Sequence, residues 1–439
     1  MNELHLQDKF LIPFFTRNHG VGLGYREVQP NTVTSSLLIE SDLIEFLKTS
    51  EANKTNFKKL EKKFKSEKNL TDSLIEVIKD KIKDFRNMAL FLNNSGTITF
   101  EGLKFYLFNR SESEIKGDLD FEENIFSVVQ ELKYKFYYKG KKIYSFRPDI
   151  TLFVNGIYLG YCELKSNYNN QNAEKNGRLK VVKDYKEATI SYLENIENNS
   201  HLTGSQKADI RKDMLKVFEK AIWISTTDIS ETFIIRDITK FFEEIKYHYD
   251  DGKYDYEQYN QKVLNSFKAY PLITDSEDKQ DKLAEIFNAH YSKKMVEKEI
   301  LYYNFIEREI NTDAKGKKIL KNERGFLISP RPKQKFGVDK IMSKIDEFLE
   351  HENEPDYFIN KLRKELKHFS QADQEKYISR RLAFNNNKNI YSLLLQYAAG
   401  FGKSNIIGWC ALQLKDLKKD NYYVYDKIML IVDRVQLRD

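Results

Sequence analysis

The chain has almost no cysteine: two in 439 residues, Cys162 and Cys410, each inside an apolar run and not in a paired spacing. That excludes a disulfide framework and a cysteine metal site, and it implies a reducing compartment. Long hydrophobic runs are missing too. No window approaches the roughly 18 uncharged apolar residues of a membrane span, and residues 1–15 interleave acidic and basic side chains with apolar ones. A soluble, cytoplasmic protein is the expectation, with no membrane partner. Charge of one sign is not in large excess, since 72 basic against 66 acidic side chains leave +6, which fits a polyanionic partner without demanding one. Nor is there a dinucleotide fingerprint: Gly20, Gly22 and Gly24 lack the final two-residue gap and follow no apolar strand, so they read as a turn.

What the chain does have is 41% hydrophobic residues, enough to bury a core in two or three domains. Residues 3–15 carry apolar positions at helical spacing, and residues 37–91 are helical and increasingly basic. In that stretch Lys54, Lys58, Lys59, Lys62, Lys63, Lys65 and Lys68 form either a solvated face or a non-specific phosphate-contacting surface. Residues 97–108, 132–138, 143–154 and 157–164 are predicted strands of one sheet. Helices over 179–196 and 207–220 and strands over 221–225 and 233–235 complete an α/β domain spanning residues 1–266. Residues 267–325 are charged and helix-patterned and read as a connector, and a second unit spans 326–439.

The most informative segment begins at Arg147-Pro148-Asp149, which opens the apolar run 150–154. Asn155-Gly156 and a second apolar run, 157–162, follow, and the segment closes on Glu163-Leu164-Lys165. Asn-Gly between two apolar runs predicts a hairpin. A strict two-residue turn pairs position 149 with 162. One extra residue, from a three-residue connection or a bulge, is therefore predicted, because it brings Asp149 opposite Glu163. Residues two apart on a strand share a face, so Glu163 and Lys165 project together while Leu164 points into the core. Carboxylates beside apolar strands are costly to bury unless they hold a cation, and two carboxylates with a backbone carbonyl are the oxygen set that Mg²⁺ takes. Such a site can activate water against a phosphodiester, with the lysine orienting the water or stabilising the transition state. Glu-x-Lys alone also fits a surface ion pair at a strand end. The combination of Pro-Asp, hairpin and Glu-x-Lys is what points to phosphodiester hydrolysis.

Residues 147–166, RPDITLFVNGIYLGYCELKS, resemble the nuclease signature of the PD-(D/E)xK superfamily and, more closely, that of the endonuclease and motor (R) subunit of type I restriction enzymes. The resemblance implies a restriction-endonuclease-like domain, a mixed sheet flanked by helices. It implies Asp149 and Glu163 as Mg²⁺ ligands, Lys165 as the catalytic lysine, and double-stranded DNA cut with little sequence preference. Methyltransferase and specificity subunits would be the partners. The family's Gln-x-x-x-Tyr element is half present, with Val181 in the glutamine position and Tyr185 in the tyrosine position, so Tyr185 is a fourth catalytic candidate. Glu3 is the nearest candidate for an additional acidic residue from the first helix.

A second constellation lies near the end of the chain. The apolar run 390–396 feeds Tyr397-Ala398-Ala399-Gly400-Phe401-Gly402-Lys403-Ser404, and a helical pattern follows over 406–414. Strand, glycine loop and helix are the context of a phosphate-binding loop: Gly400 and Gly402 turn amides toward phosphates, Lys403 reaches the β and γ phosphates of ATP, and Ser404 ligates Mg²⁺. Tyr397 stands where the usual pattern has its first glycine, and Phe401 replaces a small residue. Residues 326–338, FLISPRPKQKFGV, resemble the adenine-recognising element of the type I motor, with Gln334 reading the base, and residues 431–437 resemble the next motor motif. The interval from Gln334 to Lys403 is long for that family, so an insertion is expected. The expectation is a partial RecA-like lobe, truncated inside a motif, that binds ATP weakly at best and cannot translocate DNA. Two alternatives stay open: a nuclease-helicase of DNA repair or of another phage-defence system, and a DNA-binding or complex-anchoring module inactive without its partners. The DNA-contacting residues are not legible.

Overall fold

The computed structural model describes residues 6–17, 22–94, 96–111, 121–166, 170–252, 256–270, 279–307, 310–312, 318–320, 326–384, 393–419 and 422–431. It divides into two compact units, Met1–Ser329 and Pro330–Asp439.

The first unit is built on a seven-stranded sheet whose strands lie side by side in chain order. They are β1 (Arg26–Val28), β2 (Phe126–Gln130), β3 (Ile150–Val154), β4 (Ile157–Leu164), β5 (Trp223–Thr227), β6 (Thr232–Ile235) and β7 (Lys268–Tyr270). β1 runs parallel to β2 and β4 parallel to β5, while the remaining neighbours are antiparallel. Every residue of β3 and β4 is buried, which is why these strands read as near-continuous apolar runs and not as an alternation.

Two apolar layers cover the sheet. Helix α1 (Glu40–Thr49) supplies Leu43, Phe46 and Leu47 to the layer that receives Ile150, Leu152 and Val154 of β3. Helix α2 (Arg178–Tyr192) supplies Val181, Val182, Tyr185 and Ala188 to the other layer, with Val129, Phe153 and Tyr161 from the sheet. In the lysine-rich stretch, Phe57, Leu60, Leu70 and Leu74 are buried while Lys58, Lys59, Lys62, Lys63, Lys65 and Lys68 are exposed. The amphipathic pattern is thus satisfied by the core, with the charge in solvent.

In the first unit the structure departs from the sequence reading in its strand assignments and in the connector. Residues 97–108 and 132–138 are not in the central sheet. Thr97–Phe100 pairs with Leu103–Tyr106, and Tyr134–Tyr138 pairs with Lys141–Phe146, as separate hairpins. Pro148 lies between the second hairpin and β3, so the run 143–154 is two strands with different partners. The sheet position beside β3 belongs instead to Phe126–Gln130. Finally, the described part of residues 267–325 is more than a connector. Helices α3 (Lys279–Tyr291) and α4 (Lys293–Leu301) place Leu283, Ile286, Phe287, Tyr291, Val296 and Ile300 in the core of the first unit. The Tyr291 hydroxyl lies 2.7 Å from Ser225 Oγ, and its carbonyl accepts from the Tyr25 hydroxyl at 2.8 Å. Apolar residues three and four apart suffice for this packing, although charge dominates the composition of the segment.

In the second unit, α5 (Pro332–Glu350) buries Val338, Ile341 and Ile345, and α6 (Lys403–Asp416) buries Ile406 and Trp409. Helices Pro355–Glu365 and Gln371–Phe384 fill the interval where an insertion is expected. The apolar runs 390–396 and 428–432 are described over 393–396 and 428–431, and neither is a strand there. Leu394, Met429 and Ile431 are exposed. A strand's amides and carbonyls need a neighbouring strand. Among the described residues of this unit the pairing is a two-residue ladder, Lys418–Lys419 with Tyr422–Tyr423. These residues do not show a RecA-like lobe, and residues 432–439 lie outside the described part of the chain. Among the described residues no helix is long and apolar enough to cross a membrane.

Candidate active site

The Asn155-Gly156 turn is a tight two-residue connection, with both residues at positive φ (47° and 73°) and Val154 paired with Ile157. Gly156 is required there: a Cβ would fall 2.2 Å from the Ile39 carbonyl oxygen. The extra residue comes later, as a bulge. The register shifts between Leu152 and Phe153, so that Leu152 pairs with Gly160 and Ile150 with Cys162. One step further along the same register, Asp149 lies level with Glu163.

The bulge also decides which face the site occupies. Before it, Ile157 and Leu159 enter the α1 layer and Tyr158 the α2 layer; after it, Cys162 and Leu164 enter the α1 layer and Tyr161 the α2 layer. The parity of the strand has flipped. Without the extra residue Glu163 would share the face of Ile157; with it, Asp149, Glu163 and Lys165 all project toward α2.

There the charged groups meet. The Leu164 amide donates to Asp149 Oδ2 at 2.6 Å. Lys165 Nζ donates to Glu163 Oε1 at 3.1 Å and to the Leu164 carbonyl at 2.5 Å. Two residues absent from the sequence reading join them from α2. Lys180 Nζ lies 2.7 Å from the same Glu163 Oε1 and 3.5 Å from Asp184 Oδ2. Their spacing of four residues on one helix face was the available signal. Glu163 is 2% exposed and Lys165 6%. The second carboxylate oxygen of Glu163, Oε2, is buried and accepts no hydrogen bond from the described residues.

Burial pushes the Asp149 carboxyl up to about 7; the Glu163 charge adds to this, and the Leu164 amide, Lys165 and Lys180 act against it. Burial likewise raises Asp184 to about 6, opposed by Lys180. Desolvation works to lower Lys180, but Glu163 and Asp184 outweigh it and hold its ammonium above the ordinary lysine value.

The backbone around the site is fixed closely. The Asp149 carbonyl accepts from the Glu131 amide at 2.8 Å and from Gln7 Nε2 at 3.5 Å. The Lys165 amide donates to the Thr227 carbonyl at 2.9 Å. Gly177, at the turn leading into α2, has no room for a side chain: a Cβ would fall 1.8 Å from Thr226 Oγ1 and 3.3 Å from Lys165 Cγ.

Tyr185 is not brought to this cluster. Its ring packs edge-on against Phe218 at 5.2 Å, its hydroxyl donates to the Thr239 carbonyl at 3.5 Å, and the residue is fully buried. On the helix, positions 180 and 184 share the face toward the carboxylates, while 181 and 185 share the next face, toward the core. Glu3 lies outside the described residues.

Among the described residues, no group of three or more His, Cys, Asp or Glu side chains is placed to hold a metal ion. The donor set here is two carboxylates and a backbone carbonyl. Two carboxylates and a backbone carbonyl are the oxygen donors that Mg²⁺ takes, and the buried Glu163 Oε2 accepts no hydrogen bond from the described residues, so the residues fit Mg²⁺.

In the second unit, Gly400 and Gly402 have φ of 72° and 83°, and Gly402 caps the start of α6. Lys403 Nζ donates back to the carbonyls of Tyr397 and Ala398 at 3.2 and 3.1 Å, and Ser404 is exposed. Gln334 is buried with its amide engaged at both ends: Oε1 accepts from the Arg331 amide and Nε2 donates to the Phe401 carbonyl, each at 2.7 Å. The two unusual loop residues answer one another, since the Tyr397 and Phe401 rings stack at 4.6 Å and 7°. Gly337 makes room for them, because a Cβ there would fall 1.9 Å from the Tyr397 hydroxyl.

Residues 1–200 match the family model of the type I restriction enzyme R protein N terminus. No curated protein and no solved structure matches the chain. The matched stretch contains all five charged groups, Asp149, Glu163, Lys165, Lys180 and Asp184. The amino-terminal region of this chain is therefore of the type found at the N terminus of type I restriction enzyme R proteins.

Proposed function

We propose that the first unit is a Mg²⁺-dependent DNA endonuclease and that the chain forms the nuclease end of an R subunit, hydrolysing phosphodiester bonds with little sequence preference of its own. The observation that carries this reading is the convergence of Asp149, Glu163 and Lys165 on one face of the sheet, with the buried Glu163 Oε2 accepting no hydrogen bond from the described residues. Asp149, Glu163 and the Leu164 carbonyl would hold the ion. When bound, it supplies the positive charge that polarises a phosphodiester and activates water.

The protein's own contribution is positioning and charge. Lys165, buried and tethered by its amide to β5, holds its ammonium at Glu163 and the Leu164 carbonyl, ready to orient water or to stabilise charge developing on phosphate. Asp149 binds a proton near neutral pH and must lose it to act as a ligand. DNA sequence recognition would reside in partner specificity and methyltransferase subunits. In the second unit, Gly400, Gly402, Lys403 and Ser404 would hold the phosphates of ATP, with Gln334 bracing the loop through the Phe401 carbonyl.

Nicking of supercoiled plasmid in Mg²⁺ and in EDTA, by the wild type, Asp149→Asn and Lys165→Met, tests the nuclease reading. Cleavage by the wild type in Mg²⁺ that is lost in EDTA and in both variants is expected. Equal cleavage by all three proteins would refute the site.

A further inference from the structure

The nuclease reading assigns roles to Asp149, Glu163 and Lys165 and leaves Lys180 without one. Yet Lys180 shares Glu163 Oε1 with Lys165, so two ammonium groups serve one carboxylate oxygen while the other has no partner among the described residues. One cation suffices to offset a buried carboxylate, so the second is surplus to the needs of the fold. The two lysines differ in access. The Lys165 side chain is 7% exposed, whereas that of Lys180 is 38% exposed, reaching solvent past the Phe146 ring, whose centroid lies 5.9 Å from its ammonium. Asp184, one turn along α2, holds Lys180 from the other side at 3.5 Å. The ammonium is therefore aimed at the carboxylates from the one end and open to a solvent-borne anion at the other.

Resting on the nuclease reading, we propose that Lys180 is the DNA-phosphate contact of this site, with Asp184 as the residue that aims it. In the structure its ammonium stands on Glu163. With DNA bound, it turns to a backbone phosphate oxygen and fixes the strand over Asp149 and Lys165. The five-donor fork of arginine could make the same contact, whereas a neutral amide could donate a hydrogen bond but would neither neutralise the phosphate nor release its counterion.

The experiment is binding of the whole chain to a labelled duplex of about 20 base pairs in EDTA, measured by fluorescence anisotropy across a salt series for wild type, Lys180→Gln and Lys180→Arg. Losing one phosphate contact reduces the slope of log affinity against log salt by about 0.9, which amounts to about eightfold weaker binding at 0.1 M salt. Lys180→Gln is expected to show that loss and Lys180→Arg the wild-type slope. Lys165 still serves Glu163 in both variants, so the fold is retained, and thermal melting checks this. A wild-type slope in Lys180→Gln, alongside Mg²⁺-dependent cleavage by the wild type, overturns the role of Lys180 and leaves the nuclease standing. A wild type that neither binds nor cuts the duplex overturns both.

Discussion

Asp149→Asn should make this protein more stable while abolishing its cleavage. The folded carboxyl sits near 7, raised from an ordinary 3.8 chiefly by burial and then by Glu163. A group raised in the fold contributes stability that is fully present below its unfolded value and is lost as pH rises through the folded value. The window is therefore from about 4 to 7. A shift of about three units at about 1.36 kcal/mol each puts an upper limit of about 4 kcal/mol on what ionised Asp149 costs the metal-free fold at pH 8, of which about 2–3 kcal/mol accrues between pH 5 and 8. Asparagine is neutral throughout and its carbonyl oxygen still accepts from the Leu164 amide. The advantage of the variant should thus grow with pH, while Asp184 titrates alike in both proteins. Urea unfolding in EDTA at pH 5, 6.5 and 8 measures this, followed by the fluorescence of Trp223 in a Trp409→Phe background so that the first unit reports alone. A difference that stays constant across pH, or a variant less stable at pH 8 than at pH 5 relative to the wild type, would refute the argument that burial raises Asp149. Mg²⁺ provides a second check: it should stabilise the wild type at pH 8 and leave Asp149→Asn unmoved.

Gly177→Ala drives a methyl into Thr226 Oγ1 and against Lys165, so a loss of about 1–3 kcal/mol in stability and a fall in nicking are expected. Thr226→Ala in the same protein should restore most of both, because Thr226 Oγ1 accepts no hydrogen bond from the described residues; no recovery in melting temperature would refute the packing account. Tyr185→Phe should cost about 1 kcal/mol or less and leave the nicking rate unchanged, since its hydroxyl serves the Thr239 carbonyl; a tenfold slower variant would return Tyr185 to the site. In the second unit, Gly402→Ala would place a methyl 2.5 Å from Gln334 Nε2 at a φ of 83°. Binding of a fluorescent ATP analogue should weaken at least about tenfold, roughly 1.4 kcal/mol, and unchanged affinity would refute the loop's part in holding phosphate.

The legible and illegible parts of this molecule divide along a physical line. Elements whose partners are adjacent in sequence could be read: the Asn155-Gly156 turn, the two apolar strands it joins, and the need for one extra residue to align Asp149 with Glu163. Elements placed by distant partners could not. Phe126–Gln130 becomes a sheet strand because β1 and β3 flank it; the Tyr134–Phe146 hairpin is the exception, a local pair whose strands were legible, and the sequence reading places them in the central sheet only by passing over the break at Pro148. Lys180 and Asp184 were invisible for a related reason. A lysine and an aspartate four apart on a helix are common on solvated faces, and the buried carboxylate that gives them meaning, Glu163, lies on an earlier strand. The bulge carries the deepest consequence. A strand fixes side-chain direction by parity alone, so a single inserted residue at Leu159 to Gly160 transfers everything after it to the opposite face. Gly160 makes the insertion possible, because any Cβ there would fall 2.2 Å from the Trp223 carbonyl oxygen of the neighbouring parallel strand. The hairpin thus keeps Ile157 and Leu159 in the α1 layer as its apolar anchor and delivers Glu163 and Lys165 to the α2 layer, where Lys180 waits. The site is made by a change of register, and no substitution at the three charged positions could create it on an unbulged strand.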